Sequence, residues 1–183
     1  WRWCGLCVML VVRLWLLFFN APATTALYTL SLHDARPLFP TMLVAMLEPP
    51  DFATSDLSHV EAICSGGSTV PAPLVERFEK ELGAPFTIVF GQTELSPVSS
   101  MTQTFDTITD KANTIGPAMP HVEVKIIDTE TGETVPVGTI GEYCARGYLV
   151  MHGYYEMPDA TAETIDADGW LHTGDLASMD ERG

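Results

Sequence analysis

The stretch PFTIVFGQTELSP, residues 85–97, contains the transition that decides the fold. Residues 86–90 are apolar and rich in β-branched and aromatic side chains, which is typical of a buried strand. The polar residues Gly-Gln-Thr-Glu at 91–94 follow directly, so they emerge at the carboxyl end of that strand. Ligands bind at this end in open α/β sheets. The sequence therefore predicts a ligand site at residues 91–94.

Thr93 and Glu94 are the most informative pair in this stretch. A hydroxyl and a carboxylate beside a glycine can bind a phosphate and hold Mg²⁺, because glycine lets the backbone approach a ligand closely. The same four residues equally fit a solvated loop. Taken alone, the pattern leaves both interpretations open.

The surrounding pattern predicts an α/β protein with two subdomains joined near Gly116. Apolar residues at helical spacing predict a surface helix over residues 71–82 that ends at Gly83, and a second helix is predicted over residues 41–47. After Gly116 the sequence pattern changes and predicts strands separated by turns. The predicted elements there are strands at 122–127 and 141–146, a short helix at 158–165, and a turn at Asp168 and Gly169 before residues 170–172.

Composition and charge restrict the classes of partner. With 46% hydrophobic and 18% charged residues, a packed core is expected. The net charge is −15, and since the first 40 residues carry three arginines and one aspartate, the acidity lies in the remainder. Such a field disfavours nucleic acid and anionic membranes as partners. It also disfavours ATP unless Mg²⁺, backbone amides or local cations neutralise the phosphates.

The first 37 residues form an unusual leader. Residues 1–19 are nearly all apolar but contain Arg13, so they are a poor transmembrane helix, and residues 20–23 loosely supply a signal-peptide cleavage site. We favour a third interpretation, that the leader is not native protein, because residues 27–37 (LYTLSLHDARP) resemble a translated sequencing adapter. Cys4 and Cys7 form a C-x-x-C pair within the apolar run and are not expected to bind metal.

Several ordered motifs together resemble the adenylate-forming superfamily, which includes acyl-CoA synthetases, luciferases and the adenylation domains of peptide synthetases. FGQTELSP is followed some sixty residues later by RGYLVMHGYYEMPDATAETIDADGWLHTGDLASMDERG, and IGPAMPHVEVKIIDTETGETVPVGTIGE lies between them. ICSGGSTVPAPLV upstream fits the same family. The resemblance implies a partial α/β AMP-binding subdomain at 38–117 and a truncated, β-rich, small barrel-like subdomain at 118–183, both from the large N-terminal domain.

The resemblance also implies a role for each matching residue. Gly66, Gly67 and Ser68 would form the wall of the adenine pocket, although many members have Gly-Ala-Pro there. Phe90 would stack on adenine, usually the work of a tyrosine. Gly91, Gln92 and Thr93 would lie against the nucleotide, with Thr93 at the α-phosphate. Glu94 would coordinate Mg²⁺, and Asp175 would accept hydrogen bonds from the ribose hydroxyls.

Other interpretations of these residues stay open. Gly66 and Gly67 could form a simple turn, and Asp175 could cap the segment that follows it. His121 and His172 have no partner at a useful spacing and are interpreted as structural. Packing roles are expected for Trp170, Tyr154 and Tyr155, and Cys64 and Cys144 are predicted to be small core residues.

By resemblance, the chain is expected to be an internal fragment of a fatty-acyl-CoA synthetase-like ligase. Such enzymes convert a carboxylic acid and ATP to acyl-AMP, and CoA then displaces AMP. The lysine-bearing phosphate loop and the C-terminal domain with its catalytic lysine are not recognised, so we expect no adenylation by this chain alone. The alternatives are a non-catalytic nucleotide-binding module or another adenylate-forming subclass. A cytoplasmic location is expected, with membrane association only if the leader is genuine.

Overall fold

The computed structural model describes residues 35–49, 52 and 60–183. The predictions for residues 1–34, including the apolar run and the C-x-x-C pair, lie outside these residues. Within the described part of the chain, no helix combines the length and apolar character that crossing a bilayer requires.

A four-stranded sheet forms the first half of the described structure. Its strands are β1 (Ala35–Leu38), β2 (Ala62–Gly66), β3 (Phe86–Phe90) and β4 (Ser100–Met101), in that spatial order. β1, β2 and β3 are parallel, and the short β4 runs antiparallel to β3. Residues 35–37, which the sequence assigned to the leader, thus pair with β2.

Three helices accompany this sheet. They are α1 (Pro40–Leu47), α2 (Ala72–Leu82) and α3 (Ile108–Asn113). In α2 the predicted helical stripe places Val75 and Phe78 in the core, and Gly83 ends the helix in the left-handed conformation with φ of 65°. The prediction of this helix is confirmed. α1, α2 and the sheet enclose one core cluster, which includes Leu43, Phe78 and Phe86.

A three-stranded antiparallel sheet forms the second half. Its strands are β5 (Val122–Ile127), β6 (Gly141–Gly147) and β7 (Leu171–Ala177), with β6 in the centre, and α4 (Pro158–Thr164) precedes β7. Among the described residues this sheet has two edges rather than a closed barrel. The predicted strands and the short helix are confirmed, and the turn at Asp168 and Gly169 precedes β7 as expected.

The two faces of this second sheet differ in chemistry. One face packs Ile126, Tyr143, Ala145 and Leu171 into a second core cluster that also contains Leu95 from the loop after β3. Side chains alternate along a strand, so the residues between these core positions lie on the opposite face. They are mostly charged or polar.

Tyr143 of β6 connects the two sheets. Its hydroxyl lies 2.8 Å from Ser100 Oγ and donates to Ser99 Oγ at 3.1 Å; both serines are buried, Ser100 as the first residue of β4 and Ser99 just before it. Its ring meets the Phe90 ring edge-on, with centroids 4.9 Å apart. Burial raises the pKa of Tyr143, so the neutral phenol persists. Phe90, at the end of β3, is therefore held from behind by the second sheet.

Candidate functional site

A pocket of about 390 Å³ lies at the carboxyl ends of β2 and β3. It is lined by residues 67–70 after β2, residues 88–91 at the end of β3, residues 111–115 in and after α3, and Asp175 of β7. Because β2 and β3 are parallel, both open onto the same edge of the sheet. Of residues 91–94, where the sequence predicts a ligand site, Gly91 lines this pocket.

The predicted site residues that line this pocket are Gly67, Ser68, Phe90, Gly91 and Asp175. Gly66 is the last residue of β2 and directly precedes the lining residues Gly67 and Ser68. Gly67 has φ of +80°, and a Cβ there would lie 2.8 Å from the Phe39 ring, so both its conformation and its surroundings favour glycine. Residues from three separate segments of the sequence are thus assembled around one cavity.

The other three predicted residues lie beyond the pocket wall. Gln92 precedes a short 3₁₀ helix, Thr93–Leu95, in which Thr93 is exposed and Glu94 is half-buried. Glu94 is fixed twice: its carboxylate Oε1 accepts a hydrogen bond from the Tyr154 hydroxyl at 2.9 Å, and its carbonyl accepts one from the Met151 amide at 2.9 Å. The bond to Glu94 raises the pKa of Tyr154.

Tyr154 therefore has a polar contact in addition to the packing role that the sequence predicted. Tyr155 was also predicted to pack, but the residue is 73% exposed, so most of its surface faces solvent. Trp170 does pack, since Lys125 Nζ lies 4.3 Å from its ring centroid and Arg146 Cζ lies 4.6 Å from it.

Asp175 has an available carboxylate on a fixed backbone. Its amide donates to Thr173 Oγ1 at 3.2 Å, and the Thr173 hydroxyl in turn donates to the Tyr143 carbonyl at 2.7 Å. The preceding Gly174 amide donates to Glu142 Oε1 at 2.8 Å. Among the residues described, none donates a hydrogen bond to the Asp175 carboxylate, which leaves both oxygens able to accept from a ligand in the pocket.

Sequence reasoning missed the wall of the pocket that α3 forms. Thr107 caps this helix: its Oγ1 accepts from the Asp110 amide at 3.1 Å and donates to Asp110 Oδ2 at 2.8 Å. The pattern Thr-x-x-Asp is the signal that would have located the start of this helix.

Lys111 is the cation that α3 brings to the pocket wall. Its side chain is only 2% exposed, and its Nζ donates to Glu79 Oε1 at 2.8 Å and to the Thr104 carbonyl at 2.9 Å. These contacts fix the ammonium between α2 and the loop before α3. The Glu79 carboxylate therefore balances most of the positive charge of Lys111 within the protein.

His172, interpreted from the sequence as lacking a partner, has three. Its Nδ1 lies 3.2 Å from Glu142 Oε2 and 3.7 Å from Cys144 Sγ, and its Nε2 lies 3.7 Å from Asp166 Oδ2. Glu142 and Cys144 are 30 and 28 positions away, and the pairing of β6 with β7 brings them together, whereas Asp166 lies in the turn just before β7. His121 is exposed, in a turn with φ of 63°.

The predictions for the two described cysteines differ in outcome. Cys144 is fully buried, as expected of a core residue, and burial, followed by the Glu142 charge, raises its pKa to about 11. Cys64 of β2 is only half-buried, and burial raises its pKa as well.

Known proteins share both the sequence and the fold of this chain. Putative acyl-CoA synthetase YngI of Bacillus subtilis is 46% identical over 145 residues, which cover 79% of this chain and 26% of YngI. The mitochondrial medium-chain acyl-CoA ligase ACSF2 of Bos taurus is 43% identical over 145 residues, or 24% of its length. The chain thus spans about a quarter of the length of these relatives.

Solved structures give the same result. The anthranilate CoA ligase AuaEII in complex with anthranoyl-AMP matches with a TM-score of 0.77 and 27% identity over 88% of this chain and 31% of that protein. ATP-bound MatB from Rhodopseudomonas palustris matches with a TM-score of 0.75 and 26% identity, over 89% of this chain and 32% of MatB. A family model described as AMP-binding enzyme matches residues 33–155. From its sequence and its fold alike, this chain belongs to the AMP-binding enzyme family.

Proposed function

We propose that this chain forms the adenosine side of the nucleotide site in an ATP-dependent ligase that activates a carboxylic acid as acyl-AMP and transfers the acyl group to CoA. The observation that carries the proposal is the pocket itself, in which Gly67, Phe90 and Asp175 meet from three separate segments. Its volume of about 390 Å³ falls within the range of small-molecule sites.

The residues present fit a nucleotide. Phe90 provides an aromatic face for the base, and its edge contact with Tyr143 fixes that ring before a ligand arrives. Gly67 and Ser68 also line the pocket, and Gly66 directly precedes them. The Asp175 carboxylate has the acceptor chemistry that two ribose hydroxyls require. Gly91, Gln92 and Thr93 lead away from the pocket and provide backbone and hydroxyl groups for the α-phosphate.

Glu94 fits a role in holding Mg²⁺. Proteins commonly bind this ion through one or two carboxylates together with phosphate oxygens. Tyr154 occupies Oε1 of Glu94, and no described residue donates to Oε2. Mg²⁺ would neutralise phosphate charge, which a chain with a net charge of −15 otherwise repels.

The substrate class rests on the relatives. Two of them carry names that specify acyl-CoA synthetase or medium-chain acyl-CoA ligase activity. We therefore propose that the enzyme of which this chain is a part uses a medium- or long-chain fatty acid, ATP and CoA as substrates. We also propose a cytoplasmic location for it.

Replacing Asp175 with alanine tests the nucleotide assignment. We expect the affinity for AMP and for Mg·ATP to fall about 10- to 100-fold, because a hydrogen bond to a charged group contributes about 1.5–3 kcal/mol. Isothermal titration calorimetry on the 183-residue chain measures this directly and does not depend on turnover. Asp168→Ala, an exposed aspartate of the turn before β7, is the matched control. Equal AMP affinity in the Asp175→Ala variant and the unmodified chain would refute the ribose assignment.

Replacing Glu94 with glutamine tests the metal assignment separately. Glutamine can still accept the Tyr154 hydrogen bond, but it loses the charge that attracts Mg²⁺. We expect about a tenfold loss of affinity for Mg·ATP and an unchanged affinity for AMP without metal. Glu163→Gln, on the exposed side of α4, is the control. A loss of affinity for AMP equal to that for Mg·ATP would exclude a metal-specific role.

A further inference from the structure

Three potential metal ligands meet on the polar face of the second sheet. Glu142 and Cys144 lie two residues apart on β6, so their side chains share a face. Cys144 and His172 are directly paired across β6 and β7. One oxygen of Glu142, the Cys144 sulfur and one ring nitrogen of His172 all lie within 4.8 Å of one another. The proposed nucleotide site uses none of these three side chains.

Two of their three spacings match a tetrahedral zinc site. Zinc lies about 2.3 Å from a thiolate sulfur and about 2.0–2.1 Å from an imidazole nitrogen or carboxylate oxygen. At tetrahedral angles these bond lengths place sulfur about 3.5 Å from nitrogen, and nitrogen about 3.3 Å from oxygen. Cys144 Sγ lies 3.7 Å from His172 Nδ1, and His172 Nδ1 lies 3.2 Å from Glu142 Oε2. Two edges of the tetrahedron are therefore already present to within about 0.2 Å.

The groups around the cluster have the arrangement of an outer shell. His172 Nε2, the nitrogen on the far side of the ring from the cluster, lies 3.7 Å from the Asp166 carboxylate. A carboxylate behind a histidine ligand orients the ring and increases its basicity. Glu142 Oε1 is held by the Gly174 amide at 2.8 Å, which leaves Oε2 for a metal. Asp166 is itself fixed by the Trp170 and Asp168 amides.

We propose that Glu142, Cys144 and His172 bind Zn²⁺ in this chain, with a fourth coordination position open to water. The thiolate favours zinc over magnesium or calcium, which prefer oxygen ligands. Binding forms a zinc–sulfur bond, breaks the Cys144 S–H bond, and releases the proton to solvent. The positive charge of the metal would offset the negative charges of Glu142 and Asp166, the two carboxylates that face the cluster. Lys125 of β5 also faces the cluster and is a cation.

Titration of Zn²⁺ and Co²⁺ into the 183-residue chain tests the site. Cys4 and Cys7 also carry thiols, so the experiment uses a Cys4→Ser/Cys7→Ser background to leave Cys144 and Cys64 as the remaining cysteines. We expect Co²⁺ to produce a thiolate charge-transfer absorption that Zn²⁺ abolishes. Adding Cys144→Ser should remove this absorption and weaken Zn²⁺ binding at least tenfold, whereas Cys64→Ser, at a half-buried cysteine of β2, should leave both unchanged.

Two further variants guard against a folding artefact. His172→Gln should also remove Zn²⁺ binding, and Asp166→Asn should weaken it about tenfold while retaining the charge-transfer absorption. Circular dichroism without metal must match the unmodified chain for each variant. Retention of the absorption in the Cys144→Ser variant would overturn the proposal, as would unchanged zinc affinity in folded His172→Gln. Neither result bears on nucleotide binding at Asp175, so the two proposals are tested independently.

Discussion

Replacing Lys111 with methionine lowers the free energy of unfolding by about 3 kcal/mol, the lower end of the cost of breaking a buried ion pair. The Lys111 side chain is 2% exposed, and its ammonium pairs with Glu79, whose side chain is 26% exposed. Glu79 Oε1 also accepts from the Phe86 amide at 2.9 Å, so the pair joins α2, α3 and the start of β3. Methionine keeps the side-chain length but leaves Glu79 without its counter-ion. Urea denaturation followed by circular dichroism measures the loss.

The exposed pair of Arg77 and Glu81 supplies the control for Lys111. These residues are one helical turn apart on α2. Arg77 Nε lies 2.7 Å from Glu81 Oε1, and the arginine side chain is 50% exposed. Arg77→Met should cost less than about 1 kcal/mol, because solvent screens an exposed pair. Combining Glu79→Gln with Lys111→Met should recover part of the loss, since no buried charge is then left unpaired. Equal costs for Lys111→Met and Arg77→Met would show that the buried pair contributes nothing specific.

Replacing Gly91 with alanine destabilises the protein by about 3 kcal/mol and weakens AMP binding. A Cβ at Gly91 would collide with the Pro97 carbonyl and lie 2.8 Å from the Val98 Cα. Both neighbours are backbone atoms, which cannot rotate away as a side chain can. Relief therefore requires a shift of the loop between β3 and β4, and this loop continues the pocket wall through Gly91.

Gly132→Ala separates steric collision from the general cost of replacing glycine. Gly132 has φ of +73° and nothing within 4 Å of its hypothetical Cβ, so only the left-handed conformation is penalised, by about 1–2 kcal/mol. AMP affinity should not change in this variant. Thermal unfolding and calorimetry on both variants give the comparison. A Gly91→Ala chain that matches Gly132→Ala in stability and the unmodified chain in AMP affinity would contradict the assigned packing.

Local sequence signals predicted the elements that have a clear period or stop. The stripe of α2 and its terminal glycine are examples, as are the apolar run of β3 and the strands β5 and β6. β2 was not recognised, because Ala-Ile-Cys-Ser-Gly is short and contains the fully buried Ser65. Residues 108–113 were missed because their central residue, Lys111, is buried through a partner 32 positions away.

The site was predictable where it rests on ordered motifs and unpredictable where it rests on strand register. The order of the motifs predicts that Gly67, Phe90 and Asp175 belong to one site, and all three line the same pocket; that this pocket binds a nucleotide stays a prediction. The environment of His172 depends on which residues β7 faces across β6, and a strand pattern does not contain that register. The same limit applies to the contact between Tyr154 and Glu94, 60 residues apart.

Tyr143 has a consequence for how the two sheets respond to a ligand. Its ring supports Phe90 and its hydroxyl contacts Ser99 and Ser100, so the pocket wall and the second sheet share one set of contacts. A ligand that requires Phe90 in its present position therefore also favours the intact β5–β7 sheet. The two effects are linked thermodynamically. The free energy by which binding stabilises the sheet equals the free energy of binding that is lost when the sheet is loosened. Amide hydrogen exchange at Ala145 and Leu171, two residues of this sheet that do not line the pocket, would then slow when the pocket is filled.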